Sequence, residues 1–162
     1  MDREPVALVE DPDMGIVLSD GCRLSARIWR PADGRPVPAV LEYIPYRKRD
    51  GTLPRDEMMH PYVAAHGYAC VRVDMRGSGN SEGVLTDEYR EQELCDAEQV
   101  LAWLAAQPWC NGRTGMMGIT AAGHAGWALG VSRSMLDDVA ELAATKVRMG
   151  DPSSLADKAS FQ

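Results

Sequence analysis

The stretch Thr114-Gly115-Met116-Met117-Gly118-Ile119-Thr120-Ala121-Ala122-Gly123 decides the predicted fold. Its apolar run ends in Gly118, one residue follows, and the hydroxyl side chain of Thr120 is then succeeded only by small residues. This order is typical of a buried strand that turns sharply into a helix, because small residues on both sides of the turn let strand and helix approach closely. Thr120, at the apex, would project into solvent, where its hydroxyl could attack a carbonyl.

Strand-like and helix-like patterns alternate on the N-terminal side of this turn. Residues 39–44 and 68–74 are nearly continuous apolar runs, as in strands buried on both faces of a sheet. Apolar residues keep helical spacing over 91–107. A second helix is predicted over 56–66, although Pro61 is unfavourable inside a helix. Strands that alternate with helices predict an α/β domain with a mostly parallel sheet and flanking helices.

An antiparallel hairpin is predicted before the first parallel strand. Residues 15–18 and 23–29 flank the turn signal Ser19-Asp20-Gly21. In the second segment apolar and polar residues alternate, which predicts one buried and one wet face. Residues 1–13 are polar, acidic and proline-bearing, and we expect them to form a loosely held lead-in.

The glycine-rich loop at residues 77–83 has two interpretations. Glycine-rich loops can bind phosphate, but the spacing G-x-G-x-x-x-G misses the dinucleotide-binding pattern by one residue. We therefore expect the glycines to turn the chain after the strand at 68–74, with Asp74 and Arg76 fixing the turn by polar contacts. The sequence predicts no cofactor.

Composition narrows the classes of partner. The chain has 162 residues and a net charge of −7, so its surface should repel nucleic acid and anionic lipid. No apolar run is long enough to span a bilayer, and residues 1–5 show no signal-peptide pattern, which predicts a cytoplasmic location. The four cysteines are far apart in sequence and form no C-x-x-C pair, so no zinc or other metal site is expected.

Four segments carry a resemblance to a known family, and they occur in the family's order and spacing over about residues 15 to 120. They are Leu41-Glu42-Tyr43-Ile44-Pro45-Tyr46-Arg47-Lys48, His66-Gly67-Tyr68 leading into Arg72-Val73-Asp74-Met75-Arg76-Gly77-Ser78-Gly79, Ala102-Trp103-Leu104-Ala105-Ala106-Gln107-Pro108-Trp109-Cys110, and Gly115-Met116-Met117-Gly118-Ile119. With these segments the chain resembles the N-terminal half of the cocaine-esterase and X-Pro dipeptidyl-peptidase group of α/β-hydrolases. The resemblance implies a partial α/β-hydrolase fold over residues 1–130. Residues 131–162 are predicted to form a helical tail without resemblance, including a helix at 135–149.

The resemblance also implies a site and a reaction. The family's nucleophilic serine aligns with Thr120, and its two oxyanion donors align with the Tyr46 hydroxyl and the Ala121 backbone N–H. These groups would act on a small acyl ester, an amide or an X-Pro peptide through a covalent acyl-enzyme. From the residues alone, Thr120 could instead cap the following helix, and Tyr46 could be a strand-end tyrosine with a solvated hydroxyl.

Two departures from the family pattern predict impaired catalysis. Threonine replaces serine, and its β-branched side chain fits poorly into the strained backbone of such a turn. The family also places an acid and a histidine after the nucleophile, whereas His124, one helical turn away, is the only histidine after Thr120. The alternative function is that of a non-catalytic truncated homologue or interaction module. In the full family fold the strand before the turn is flanked by further strands that this sequence does not show, so we expect residues 114–118 to present an open sheet edge, covered by the 135–149 helix or paired in a homodimer.

Overall fold

The computed structural model describes residues 6–87 and 90–118. Within these ranges the elements follow in the order β1 (Leu8–Val17), β2 (Arg23–Pro31), β3 (Val37–Ile44), α1 (Leu53–Ala65), β4 (Ala69–Asp74), α2 (Glu91–Ala105) and β5 (Cys110–Met117). These strands form one sheet with the spatial order β1-β2-β4-β3-β5. Neither helix of the described ranges is long and apolar enough to cross a membrane.

The strand directions confirm the predicted mixed sheet. β3 runs parallel to both β4 and β5, whereas β1 pairs antiparallel with β2 and β2 antiparallel with β4. Parallel strands need crossover connections, and α1 connects β3 to β4 while α2 connects β4 to β5, which pairs on the other side of β3. The carboxyl ends of β3, β4 and β5 therefore lie at the same edge of the sheet.

The main core lies where apolar side chains of the sheet meet α2. Its largest fully buried members come from β1, β2, β3, β4 and α2, and include Ile16, Leu24, Ile28, Leu41, Val71 and Leu104. The predicted alternation in β2 is confirmed for its apolar face, since Leu24, Ala26 and Ile28 are fully buried. The opposite face of β2 is more buried than predicted, because Ser25 is also fully buried.

The prediction of a loose lead-in over residues 1–13 is wrong for residues 8–13. β1 begins at Leu8, which pairs with Pro31, and the ladder runs on to Val17. The register shifts between Asp11 and Met14. This bulge leaves Pro12, which cannot donate to a ladder, out of the regular pairing, so a proline-bearing acidic segment can still be a strand.

Two element starts also differ from the predictions. α1 begins at Leu53 rather than residue 56, because Pro54 occupies the first turn, where a missing N–H costs nothing. Pro61 lies inside this helix without ending it. β5 begins at Cys110 rather than Thr114, and Gly112, at φ 84°, lies beside an irregularity in the pairing with β3.

The strand predicted before the turn is confirmed, and it ends at Met117. In the sheet of the described residues β5 is the last strand and pairs only with β3. The turn at Thr120, the helix after it, the helix at 135–149 and the segment 131–162 lie outside the described residues.

Candidate active site

The candidate site lies at the carboxyl edge of the parallel strands. There β3 is followed by the loop 45–52, which carries Tyr46, and β4 is followed by the glycine-rich loop 77–83. β5 ends beside them and leads toward Thr120. Ligands of open α/β sheets bind at this edge. Thr120, Ala121 and His124 themselves lie outside the described residues.

Tyr46 lies on the loop that follows β3, at this edge of the sheet. Its side chain is half-exposed, and it lines an open depression of about 450 Å³ together with residues of its own loop, Pro45, Arg47, Asp50, Gly51 and Thr52. The backbone of Tyr46 is anchored to β4, because Arg72 Nη2 donates a hydrogen bond to the Tyr46 carbonyl oxygen. The phenol is therefore presented to solvent from an anchored backbone.

Lys48 anchors the same loop at a second point. Although three of its neighbours in the loop are exposed charged residues, Lys48 is fully buried. Its backbone N–H donates to Asp74 Oδ1 at 2.7 Å, and its Nζ lies 3.3 Å from Asp74 Oδ2. Nζ also donates to Ser25 Oγ at 2.6 Å and to Asn80 Oδ1 at 3.4 Å. The Lys48 ammonium thereby joins loop 45–52 to β2, β4 and the glycine-rich loop.

Asp13, at the bulge of β1, completes this second anchor. Its Oδ1 accepts a hydrogen bond from Ser25 Oγ and lies 3.5 Å from Lys48 Nζ. The hydrogen bond from Ser25 holds the pKa of Asp13 below its ordinary value, and the positive charges of Lys48 and Arg49 act in the same direction against partial burial. Asp13 therefore remains a carboxylate that faces the buried ammonium.

Asp74 also fixes the glycine-rich loop, as the sequence predicted. Its Oδ2 accepts from the Asn80 N–H at 2.9 Å, and its carbonyl accepts from Ser81 Oγ at 2.6 Å. Arg76 acts differently from the prediction, because it forms a two-pronged ion pair with Asp96 of α2, at 2.7 and 2.9 Å, and a contact with Asp20. Its role is to tie β4 to α2 and to the hairpin turn.

A buried ionic cluster lies beneath Tyr46, and the sequence analysis missed it. Glu42 of β3 and Arg72 of β4 face each other in the sheet register, and Asp56 and His60 reach them from α1. Arg72 Nε lies 3.2 Å from Asp56 Oδ2, and Arg55 Nη2 donates to both oxygens of Glu42 at 2.7 Å. The sequence feature that could have predicted this cluster is the charged residue inside each apolar strand pattern, Glu42 and Arg72, because a buried charge needs a buried partner.

Glu42 keeps its negative charge in this cluster. Burial by itself would raise the pKa of Glu42, but the hydrogen bond from His60 and the positive charges of Arg55 and Arg72 outweigh it, so the pKa lies below its ordinary value. His60 Nε2 lies 2.9 Å from Glu42 Oε2, and the imidazole stacks on Trp29 with 4.9 Å between ring centroids. This histidine is held inside the protein and not at the site.

The same cluster has the donor types of a metal site. One ligand atom each of Glu42, Asp56 and His60 lies within 4.8 Å of the others. Both carboxylates are already neutralised by arginines, however, since Arg55 contacts Glu42 and Asp56 and Arg72 contacts Asp56. A cation at this point would face two guanidinium groups at close range. The donor set therefore fits an ion-pair network better than a metal centre.

Comparison with known proteins identifies the family of this chain. The model of the X-Pro dipeptidyl-peptidase (S15) family matches residues 20–150, and thus extends into the segment 131–162, where the sequence analysis found no resemblance. The cocaine esterase of Rhodococcus sp. (strain MB1 Bresler) is 34% identical over 118 residues, which are 72% of this chain and 20% of that enzyme. The chain thus spans about a fifth of the length of this relative.

Solved structures show the same fold at lower identity. A CocE/NonD family hydrolase from Staphylococcus aureus superposes with a TM-score of 0.65 at 24% identity, over 74% of this chain and 25% of that one. An aminopeptidase from a Thaumarchaeota archaeon superposes with a TM-score of 0.60 at 24% identity, over 74% and 22% of the two chains. The predicted partial α/β-hydrolase fold is therefore confirmed, and the chain belongs to the X-Pro dipeptidyl-peptidase (S15) family.

Proposed function

We propose that this chain carries an impaired hydrolase site for small acyl esters, amides or X-Pro peptides. In this site Thr120 is the nucleophile, and the Tyr46 hydroxyl and the Ala121 N–H are the oxyanion donors. The observation that carries the proposal is the placement of Tyr46, half-exposed on a loop whose backbone is fixed by buried charges at the carboxyl edge of the sheet. The names of relatives that hydrolyse esters and peptides support the same class of substrate.

The reaction proceeds through an acyl-enzyme. The Thr120 oxygen attacks the carbonyl carbon, its proton leaves to a base, and the carbonyl oxygen becomes an oxyanion that accepts hydrogen bonds from Tyr46 and Ala121. Collapse of this intermediate expels the alcohol or amine and leaves an ester on Thr120, which water then cleaves. Two donors aimed at the oxyanion stabilise it, and loss of one such donor costs about 10² to 10³ in rate.

The weak step is removal of the proton from Thr120. A hydroxyl is a poor nucleophile unless a base takes its proton, and that base must be oriented by a third group. The two histidines among the described residues are engaged elsewhere, since His60 is buried against Glu42 and His66 Nδ1 lies 2.7 Å from the Tyr62 carbonyl oxygen. Without such a base, oxyanion stabilisation and binding give only about 10³ to 10⁴ over water.

We therefore expect slow hydrolysis of activated aryl esters by the purified chain. Turnover of p-nitrophenyl esters measures the rate, and a fluorophosphonate probe followed by intact mass measures covalent capture at Thr120. Thr120→Ser should relieve the steric crowding of the methyl group and yet remain a poor catalyst. Tyr46→Phe should reduce any turnover by about 10² to 10³, because it deletes one donor and leaves the ring in place.

Matched variants give this experiment its controls. Tyr62→Phe removes a hydroxyl from α1 and should leave turnover unchanged, which separates a site effect from a general effect of losing a phenol. Thr120→Ala should abolish covalent capture. Efficient turnover by the native chain that is lost in Thr120→Ala would contradict the proposed impairment and require a base, with His124 as the first candidate.

The second candidate function is that of a non-catalytic interaction module. It is favoured by the position of β5, which is the last strand of the sheet in the described part of the chain. An open strand edge is a template for pairing, and the edge would be covered by the 135–149 helix or paired across a homodimer.

The cytoplasmic location and the lack of nucleic-acid and membrane partners remain predictions of the sequence.

Association and hydrogen exchange test this candidate. We expect light scattering to give a dimer, or a monomer in which the β5 amides that point away from β3 are protected from exchange. Protection in a monomer indicates coverage by another segment of the chain, and protection that depends on concentration indicates a homodimer. A stable monomer with rapid exchange along residues 114–117 would contradict both forms of coverage.

A further inference from the structure

We propose that Arg72 and Asp74 are positioning residues for the loop that carries Tyr46, and we call this pair the β4 clamp. The role rests on the proposed function of Tyr46 as an oxyanion donor. The two residues stand two positions apart near the end of β4, so their side chains leave the same face of the strand. Both reach the loop that follows the neighbouring parallel strand β3.

The clamp holds the loop at two points, one at Tyr46 itself and one two residues later at Lys48. Arg72 Nη2 donates to the carbonyl oxygen of Tyr46, and Asp74 Oδ1 accepts from the Lys48 N–H at 2.7 Å. Both contacts are to backbone atoms, so they define where the Tyr46 main chain lies without occupying its hydroxyl. Tyr46 itself is half-exposed and lines the open depression.

Each half of the clamp also contacts residues outside the loop or a second atom of Lys48. Arg72 Nε is held by Asp56 at 3.2 Å, and Arg72 Nη1 donates to the Val73 carbonyl oxygen at 2.9 Å. Asp74 Oδ2 lies 3.3 Å from Lys48 Nζ and accepts from the Asn80 N–H at 2.9 Å. Because these partners leave few free directions, neither side chain can follow the loop if the loop moves.

The energetic cost of burying these charges argues that the exact position of the Tyr46 loop is important. Burying a charge costs several kcal/mol before its partners are counted, and Arg72, Lys48 and Asp74 are all at most 1% exposed. A surface loop of this length can be closed by turn residues and solvated side chains alone. The oxyanion donor, in contrast, must reach its acceptor within about 2.7 to 3.1 Å, and a displacement of about 1 Å can cost about 10²-fold in rate.

Fluorine NMR of the full chain labelled with 3-fluorotyrosine tests the clamp without any need for activity. The chain has five tyrosines, and the signal of Tyr46 is assigned as the one that disappears in Tyr46→Phe. Asp74→Asn removes the negative charge and replaces one carboxylate oxygen by an N–H₂ group, which cannot accept from the N–H of Lys48 or Asn80. We therefore expect the Tyr46 signal to shift and broaden. The signal of Tyr62 on α1 should stay unchanged at a temperature well below the melting point.

Asp96→Asn is the matched control. Asp96 is as buried as Asp74 and is also ion-paired, but its partner Arg76 and its neighbour Gln92 lie outside loop 45–52. A merely structural role for Asp74 predicts equal effects of the two variants on stability and none on the Tyr46 signal. An unchanged Tyr46 signal in Asp74→Asn, or an equal change in Asp96→Asn, would overturn the proposal.

If Asp74→Asn does not fold, Lys48→Gln tests whether the β4 clamp fixes the loop that carries Tyr46. This variant removes the ammonium that holds Asp74 but keeps the backbone N–H of residue 48, so we expect a smaller change of the Tyr46 signal. If that signal is identical to the wild type in Lys48→Gln, the proposal is equally overturned.

Where ester turnover is measurable, a double-mutant cycle adds a kinetic readout. Asp74→Asn should lower kcat at least about 10-fold with KM unchanged in the wild-type background, and should have no effect in the Tyr46→Phe background. Equal losses in both backgrounds would contradict a role through Tyr46. If Tyr46→Phe leaves turnover unchanged, the proposed function of Tyr46 fails, while the fluorine signal still reports whether the clamp fixes the loop.

Discussion

Arg72→Met is expected to lower the free energy of unfolding by about 3 to 5 kcal/mol, the cost of removing one partner from a buried ion pair. Arg72 is fully buried, with Asp56 Oδ2 at 3.2 Å and Glu42 Oε2 at 3.6 Å from its Nε. Methionine fills a similar volume but leaves two buried carboxylates to a single arginine, Arg55. Since a domain of this size has about 5 to 15 kcal/mol in total, this loss would leave it marginal or unfolded.

Guanidinium unfolding followed by tryptophan fluorescence measures this effect, and Arg35→Met is its control. The Arg35 side chain is 72% exposed and pairs with Asp33 in a surface loop, where solvent screens the ion pair. We expect no measurable change for Arg35→Met. Similar unfolding midpoints for the two variants would show that the Arg72 cluster contributes little to stability.

The sequence was sufficient to predict the strands that are buried on both faces of the sheet. Residues 39–44 and 68–74 form nearly continuous apolar runs, and β3 and β4 lie there because strands covered on both faces need such runs. β1 was predicted too short, because pairing with β2 and a bulge at Pro12 override the weak strand preference of an acidic segment.

The buried charges could not be predicted in the same way. Glu42 and Arg72 each stand alone in an apolar run, and only the register of β3 against β4 brings them face to face. Lys48 is one of four successive charged residues in its loop, and nothing local distinguishes the buried one from its exposed neighbours. Which charge enters the protein is decided by Asp74, Ser25 and Asn80, which come from three other segments.

The candidate site was predictable only through resemblance. Tyr46 follows a strand and a proline, which by itself describes many strand-end tyrosines. In the structure Tyr46 is half-exposed and its carbonyl oxygen accepts from Arg72, and a solvated strand-end tyrosine would be exposed in the same way, so its role as an oxyanion donor remains a proposal. Thr120 and Ala121 lie outside the described residues, and so their roles remain proposals.

Gly79→Ala is expected to lower the free energy of unfolding by about 2 to 5 kcal/mol, through two effects that add. Gly79 has φ of +56°, in the left-handed region, where a side chain costs about 1 to 2 kcal/mol. An added Cβ would also overlap Asp74 Oδ2. Asp74 cannot retreat without losing its hydrogen bonds to Lys48 and Asn80, so this overlap costs about 1 to 3 kcal/mol more.

Gly34→Ala isolates the first of these effects. Gly34 also has a left-handed φ, of +73°, but an added Cβ there would meet no atom within 4 Å. We expect this control to lose only about 1 to 2 kcal/mol, the conformational cost alone. The difference between the two variants, measured by guanidinium unfolding under the same conditions, is the cost of pushing against Asp74. If the two losses are equal, Asp74 yields to the new methyl group, and the rigidity that the β4 clamp requires is absent at its second point of contact.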